Sequence, residues 1–340
     1  MRRIALALIV ALWADAAAAQ VERADVKLTL DWAFQGPQSV FTLPAERGYY
    51  KAEGLNLTID RGSGSTEAVA RVASGAYQFG WGDPSALIKY NVEHPGQELI
   101  AVYVTGDSSP LAVIALKRSG IRVPKDLEGK TLAAAAASAG RLMFDAFAQA
   151  AGINGATIQW QTVSGQLREP MLVRGDVAAV AGFTTSSVMS IRELGIKEDE
   201  IVTLLYKDYG LDIYGTALWT SLAFAEANPK TVAAMVRAAN RGLKDAIADP
   251  RASVASLKSR DALLNLDIER ERLLLAHRSV TLTPFAIANG LGTVAPARMR
   301  ATVKAVLDSF GITTKLPLDK VYTDRFLPPQ AERMPPALGG

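Results

Sequence analysis

The sequence predicts an α/β fold made of two successive units, and three observations carry that reading. Residues 26–82 alternate three strand-like runs with two helix-like runs, and residues 123–182 repeat the same order. A polar break, Gly106-Asp107-Ser108-Ser109-Pro110, stands between the two units. With 340 residues, 49% of them hydrophobic, the chain can bury the cores of two ordinary domains.

The first unit reads as a strand at 26–30, a helix at 38–53, a strand at 55–60, a helix at 65–74 and a strand at 78–81. Gly54 is expected to end the first helix in the left-handed conformation, and Ser63 or Ser65 to cap the second. In a βαβαβ unit the parallel strands send their C-terminal ends to one edge, and ligands bind in the crevice outside it. That edge receives Asp31, Trp32 and Phe34 after the first strand, Ser63, Gly64 and Ser65 after the second, and Trp81, Gly82 and Asp83 after the third.

A helix at 84–91 and apolar strands at 99–105 and 112–116 follow. The second unit comprises strands at 131–135, 158–162 and 177–182 with helices at 140–151 and 166–174 between them. Its loops deliver Ser138 and Arg141, then Thr162 and Ser164, then Phe183, Thr184 and Thr185. Beyond a helix at 186–194 and a strand at 201–206, an apolar strand at 214–220 is placed to return the chain to the first unit. Residues 229–248 form a long amphipathic helix with Asn228 as its cap and Pro229 at its first position. Helices continue to about residue 308, and five prolines after Gly311 mark a tail along the surface.

Composition excludes several classes. Net charge is only +3, from 37 basic and 34 acidic residues without a basic run, so nucleic acid is not a partner. The chain has no Cys, which removes disulfides, thiolate metal sites and Cys nucleophiles. Its two histidines are isolated: His94 precedes Pro95 in a loop, and His277 lies in a charged helix-like stretch, so both read as surface or structural residues and no metal site is expected. The loop at 60–67 lacks the spacing of a Walker A loop or a dinucleotide fingerprint. Residues 1–19 read as a cleavable export signal, with Arg2-Arg3, an apolar run from Ile4 to Trp13 and Ala17-Ala18-Ala19 before a cut at Gln20. Ten apolar residues are too few to span a bilayer, which needs about 20. Removal leaves a net charge of +2 and an exported, disulfide-free protein suited to a bacterial periplasm.

Loop chemistry separates ligand classes. An oxyanion requires several cationic or amide donors, and Arg141 is the one cation in the predicted loops. Trp32, Trp81 and Phe183 instead offer flat faces for stacking, and Asp31 and Asp83 accept hydrogen bonds from amino or ring N–H groups. Ser63, Ser65, Ser138, Thr184 and Thr185 add hydroxyls. This balance favours a planar heterocycle or aromatic solute.

Leu30-Asp31-Trp32, the run from Gly48 to Leu55, Val72-Ala73-Ser74-Gly75 before Phe79-Gly80, Lys125-Asp126-Leu127-Glu128-Gly129-Lys130 and Asp208-Tyr209-Gly210 together resemble the periplasmic substrate-binding proteins of ABC importers. Within them the chain is most similar to the group of thiamine pyrimidine precursor binders, with nitrate, sulfonate and taurine binders as relatives. The resemblance implies a two-lobed type II periplasmic binding protein, with lobe 1 at 20–112 and 216–340, lobe 2 at 113–215, and two crossover segments as hinge. It implies a monomer, not an enzyme, that carries a small solute to permease and ATPase subunits and meets the membrane only through the permease. It brings no cofactor. One departure is the loop after Asp31-Trp32, where Gln38 stands at the position that aligns with a His of the pyrimidine group. A fungal branch of that group is a pyridoxal-phosphate-dependent pyrimidine synthase. Lys51 and Lys89 are the lysines nearest the first set of loops, and neither has an obvious partner for that role.

Overall fold

The computed structural model describes residues 20–339, so the expected export signal at 1–19 lies outside the described residues. Two five-stranded mixed sheets form the frame. In the first, β1 (Asp25–Thr29) pairs in parallel with β2 (Asn56–Asp60) and β3 (Phe79–Gly82). The sheet runs on through β10 (Thr216–Ser221) to β4 (Leu99–Gly106), and β10 is antiparallel to both of its neighbours. In the second, β6 (Thr131–Ala134) lies in parallel between β7 (Gln159–Thr162) and β8 (Ala179–Phe183). There β5 (Leu111–Leu116) is antiparallel to β8 and to β9 (Ile201–Leu205).

Strands with both faces covered read as nearly continuous apolar runs, whether central or, like β4, at the edge of the sheet. Every residue of β4 and β5 is buried. The long helix Pro229–Ala248 buries Val232, Met235, Val236, Ala239, Leu243, Ala246 and Ile247, a three-to-four-residue spacing that lays one stripe on the first sheet. Pro229 takes its first turn as expected, but the Asn228 side chain turns back to the Phe224 carbonyl. The Glu22 carboxylate instead accepts from the Lys230 and Thr231 N–H groups at 3.2 and 2.9 Å.

Two further local expectations change. The single helix expected at 38–53 is broken into Ser39–Glu46 and Tyr49–Ala52, because Gly48 between them sits at φ +72°. Gly54 does take the left-handed conformation, at φ +79°. Helix Ser65–Ala73 has Gly64 at its N-cap rather than a serine. Ser63 points its N–H at the Glu67 carboxylate (2.7 Å), and the Ser65 hydroxyl accepts from the Asp83 N–H (3.1 Å), so neither serine caps the helix.

The chain passes between the sheets twice, from β4 to β5 and from β9 to β10, and one side chain ties both passages. Arg298, on helix Pro296–Ser309, donates to the Asp107 carbonyl and carboxylate at 2.7 and 2.8 Å and to the Asp212 carboxylate at 2.8 Å. Gly215 N–H closes the pair of passages by bonding the Gly106 carbonyl at 2.9 Å. Arg298→Ala is expected to lower unfolding free energy by about 1–2 kcal/mol, since these are charge-assisted bonds at a partly exposed site. Chemical denaturation checks this, and an unchanged midpoint would show that the guanidinium holds nothing.

Candidate functional site

The C-terminal ends of β1, β3, β6 and β8 converge on a cavity of about 70 Å³ between the sheets. Asp31 and Trp32 enter it because β1 ends there, Trp81 because it lies on β3, and Phe183 because it ends β8. Ser65 and Ser138 arrive from the starts of short helices after β2 and β6. Thr185 and Gln38 complete the set of predicted residues that the fold brings together.

The remaining predictions lie elsewhere. Phe34 sits under the Arg260 guanidinium, 5.8 Å from its ring centre. Ser63 lines a neighbouring groove on the Arg61–Gly165 side. Asp83 is fully buried as the N-cap of helix Pro84–Glu93, accepting from Ser85 N–H at 2.8 Å, and does not line the cavity. Arg141 stacks on Trp160 at 4.4 Å, and Thr184 faces a separate groove beside Ser109 and Lys207.

Two groups that the sequence reading did not assign to the site stand in the wall. Arg168 is only 2% exposed and donates to Glu169 (2.5 and 2.8 Å), to the Ala181 carbonyl (3.1 Å) and to the Ser187 hydroxyl (2.9 Å). Next to Glu169 in a helix, it gave no sign in the sequence beyond an ordinary surface pair. His277 is fully buried in the cavity wall, which rules out the surface alternative, while the charged helical setting expected for it is present. The run Leu273-Leu274-Leu275-Ala276 before it was the available signal, because an ionisable residue closing an apolar run is unusual on a solvated face.

Burial raises the carboxyl group in the cavity wall, Asp31, and Asp83 nearby to about 7. For Asp31 burial acts against the Gln38 amide that donates to it at 3.4 Å, and nearby Asp83 pushes it the same way as burial. For Asp83 burial is opposed by its hydrogen bonds from Ser85. Trp81 is a fixed wall rather than a free platform: its indole N–H donates to Thr105 at 2.8 Å and its ring meets Phe41 edge-on at 5.5 Å. Trp32 and Phe183 are only half-buried. Trp32 carries the Arg168 guanidinium 5.2 Å above its ring, and a Cβ at Gly165 would lie 2.5 Å from the Trp32 ring.

The loops of the two sheets touch directly around the cavity. Thr66 N–H bonds the Ala137 carbonyl at 3.1 Å, and a Cβ on Gly64 would lie 2.2 Å from that carbonyl oxygen. Ser186 donates to Gln35 at 2.9 Å, and Arg272 donates to the Thr185 carbonyl at 3.3 Å. Among the described residues no cluster of His, Asp and Glu is arranged to hold a metal, and no helix is long and apolar enough to cross a membrane.

Two sheets joined by two passages around a central cavity define the periplasmic-binding-protein fold, and solved structures agree. The chain is similar to a protein from Bordetella bronchiseptica RB50, with 19% identity over 90% of this chain and 96% of that one and a TM-score of 0.74. It is similar to the alkanesulfonate-binding protein SsuA from Xanthomonas axonopodis pv. citri, solved bound to MOPS, with 17% identity over 89% of this chain and 99% of that one (TM-score 0.67). It is also similar to the periplasmic nitrate-binding protein NrtA from Synechocystis PCC 6803, with 10% identity over 94% and 93% of the two chains (TM-score 0.69). No curated protein sequence matches. The family model described as "NMT1/THI5 like" matches residues 39–253, and the chain belongs to that family.

Proposed function

We propose that this protein is the periplasmic solute-binding component of an ABC importer. It captures a small planar heterocyclic or aromatic solute between lobe 1 (20–112 and 216–340) and lobe 2 (113–215) and delivers it to a membrane permease. A thiamine pyrimidine precursor is the preferred solute. The observation that carries this reading is the cavity itself, whose wall includes Trp32 and the buried Asp31 from one sheet and Phe183 from the other. Flat apolar faces bind a ring by stacking, and a carboxyl group beside them fixes its orientation through an amino or ring N–H group.

Oxyanions, which the names of two solved relatives specify, suit this cavity less well. Among the described residues, Arg168 is the cationic side chain in its wall, and Glu169 already neutralises it. A buried pair of this kind has little charge left to offer a nitrate or sulfonate. The pyridoxal-phosphate reading also finds no footing. Among the described residues no lysine lines the cavity, Lys89 pairs with Glu93, and Lys51 faces a different groove, so the residues present do not fit that cofactor.

A ligand that binds only the folded state raises the midpoint of unfolding by mass action. Thermal denaturation is therefore to be followed across aminopyrimidines, flavins, sulfonates, nitrate and aromatic acids. An upward shift with aminopyrimidines supports the proposal, whereas a shift confined to nitrate or sulfonates replaces the solute and no shift with any class removes the function. Trp32→Ala is expected to weaken binding of the responding solute by about tenfold or more, through lost stacking area. Calorimetric titration of both proteins measures that ratio, and equal affinities would place the ring away from Trp32.

A further inference from the structure

We propose that His277, with Gln38 and Asp31, forms a hydrogen-bond-accepting face in the cavity that selects uncharged solutes bearing N–H donors and turns oxyanions away. The inference rests on the solute-binding role proposed above and adds to it the chemical class of group that the site reads.

His277 belongs to the C-terminal half of the chain, at the point where helix Leu266–Ala276 widens into a π-helical turn, His277–Thr281. Such turns carry one residue more than the α-helix allows and often occur at functional sites. The side chain is fully buried and lines the cavity, yet among the described residues neither ring nitrogen has a partner at hydrogen-bonding geometry. Burial holds the ring neutral by lowering it to about 4, although the nearby Ala246 carbonyl acts the other way. A neutral imidazole has one N–H and one bare nitrogen. The Ala246 carbonyl can only accept, so it draws the hydrogen to its side of the ring and leaves the other nitrogen as an acceptor.

Gln38 repeats this pattern. Its amide N–H is directed to Asp31 at 3.4 Å, and its side-chain oxygen is buried without a partner. Buried polar atoms are ordinarily paired, so two unpaired acceptors on one small cavity mark where a ligand's donors belong. An anion would bring its charge toward these lone pairs and toward a guanidinium already bound to Glu169. An amino group on a flat ring would find its acceptors in the Gln38 oxygen and the bare His277 nitrogen.

Isosteres give the test. 4-Amino-2-methylpyrimidine and 2,4-dimethylpyrimidine differ by an amino group in place of a methyl, and methanesulfonate and nitrate serve as the anions. In calorimetric titrations the wild-type protein is expected to bind the aminopyrimidine about tenfold or more tightly than the dimethyl compound, because unpaired acceptors penalise the analogue. His277→Leu should reduce that preference severalfold, and His277→Gln, which keeps an acceptor, should retain most of it. The chain has two histidines, so in a His94→Gln protein the ring nitrogen signals report His277 alone and should shift when the aminopyrimidine is added.

A preference unchanged in His277→Leu, or tighter binding of either anion than of the aminopyrimidine, overturns the proposal. If none of the four compounds binds the wild-type protein, the preferred pyrimidine solute falls, and His277 is judged separately by unfolding without solute. With no protein partner for its nitrogens, His277→Leu should leave the midpoint unchanged or raised. A lowered midpoint in both His277→Leu and His277→Gln would show that the ring is held by the protein and reads nothing.

Discussion

Arg168→Met is expected to lower unfolding free energy by about 3–5 kcal/mol, the effect of leaving one member of a buried ion pair without its partner. The Arg168 and Glu169 side chains are only 2% and 6% exposed, so water cannot replace the lost contact. The substitution also abandons the Ala181 carbonyl and the Ser187 hydroxyl, which tie helix Gly165–Arg174 to β8 and to helix Thr184–Glu193. Adding Glu169→Gln should restore much of the loss, because the stranded carboxylate causes most of the damage. Chemical denaturation of the single and double variants decides this. A single variant within about 1 kcal/mol of wild type would mean that Glu169 reaches water through the neighbouring groove.

The second large effect is on pH dependence, and its sign is opposite to ordinary acid lability. Asp31 and Asp83 are both raised from 3.8 to about 7, so between about pH 4 and 7 the folded chain holds two protons that the unfolded chain has released. Their contribution is fully present below the unfolded values and is lost as pH rises toward 7. His277 works the other way. It is lowered from 6.5 to about 4, so its contribution is present above 6.5 and is lost as pH falls toward 4. Two protons against one leave a net slope of about 1.4 kcal/mol per pH unit, favouring acid. Glu269, raised by burial despite the opposing charge of Arg272, adds in the same direction. The protein is expected to be more stable at pH 5 than at pH 7 by about 3 kcal/mol, measured by denaturant unfolding at both values. Combining Asp31→Asn with Asp83→Asn should reverse the slope and leave the His277 contribution, and a wild-type protein more stable at pH 7 would contradict the account.

Much of the fold was legible because its signals are local. The strands at 56–60, 99–106 and 159–162 and the helices at 65–73 and 229–248 announce themselves by periodicity and by flanking Gly, Pro and Asn. Strand ends likewise put Asp31, Trp32, Trp81 and Phe183 at one place, since a chain in parallel βαβ units has little choice of edge. Periodicity says nothing about which way a loop residue turns. Asp83 was taken up as a helix cap, Arg141 by Trp160 and Ser63 by Glu67. Arg168 and His277 reach the cavity only through tertiary packing, from a helix of the second unit and from a segment about 250 residues beyond Asp31. The residues that the sequence reading omitted are those whose position depends on contacts distant along the chain.

The bond from the Thr66 N–H to the Ala137 carbonyl links the two halves through residues that do not line the cavity. If the halves part to admit a solute, as the proposed function requires, that bond exists only when they meet, so it contributes to the balance between separated and joined arrangements, and every solute inherits that balance as a common factor in its affinity. Changes there would retune how tightly the protein holds its cargo across all candidates at once, while the order of preference among them stayed the same.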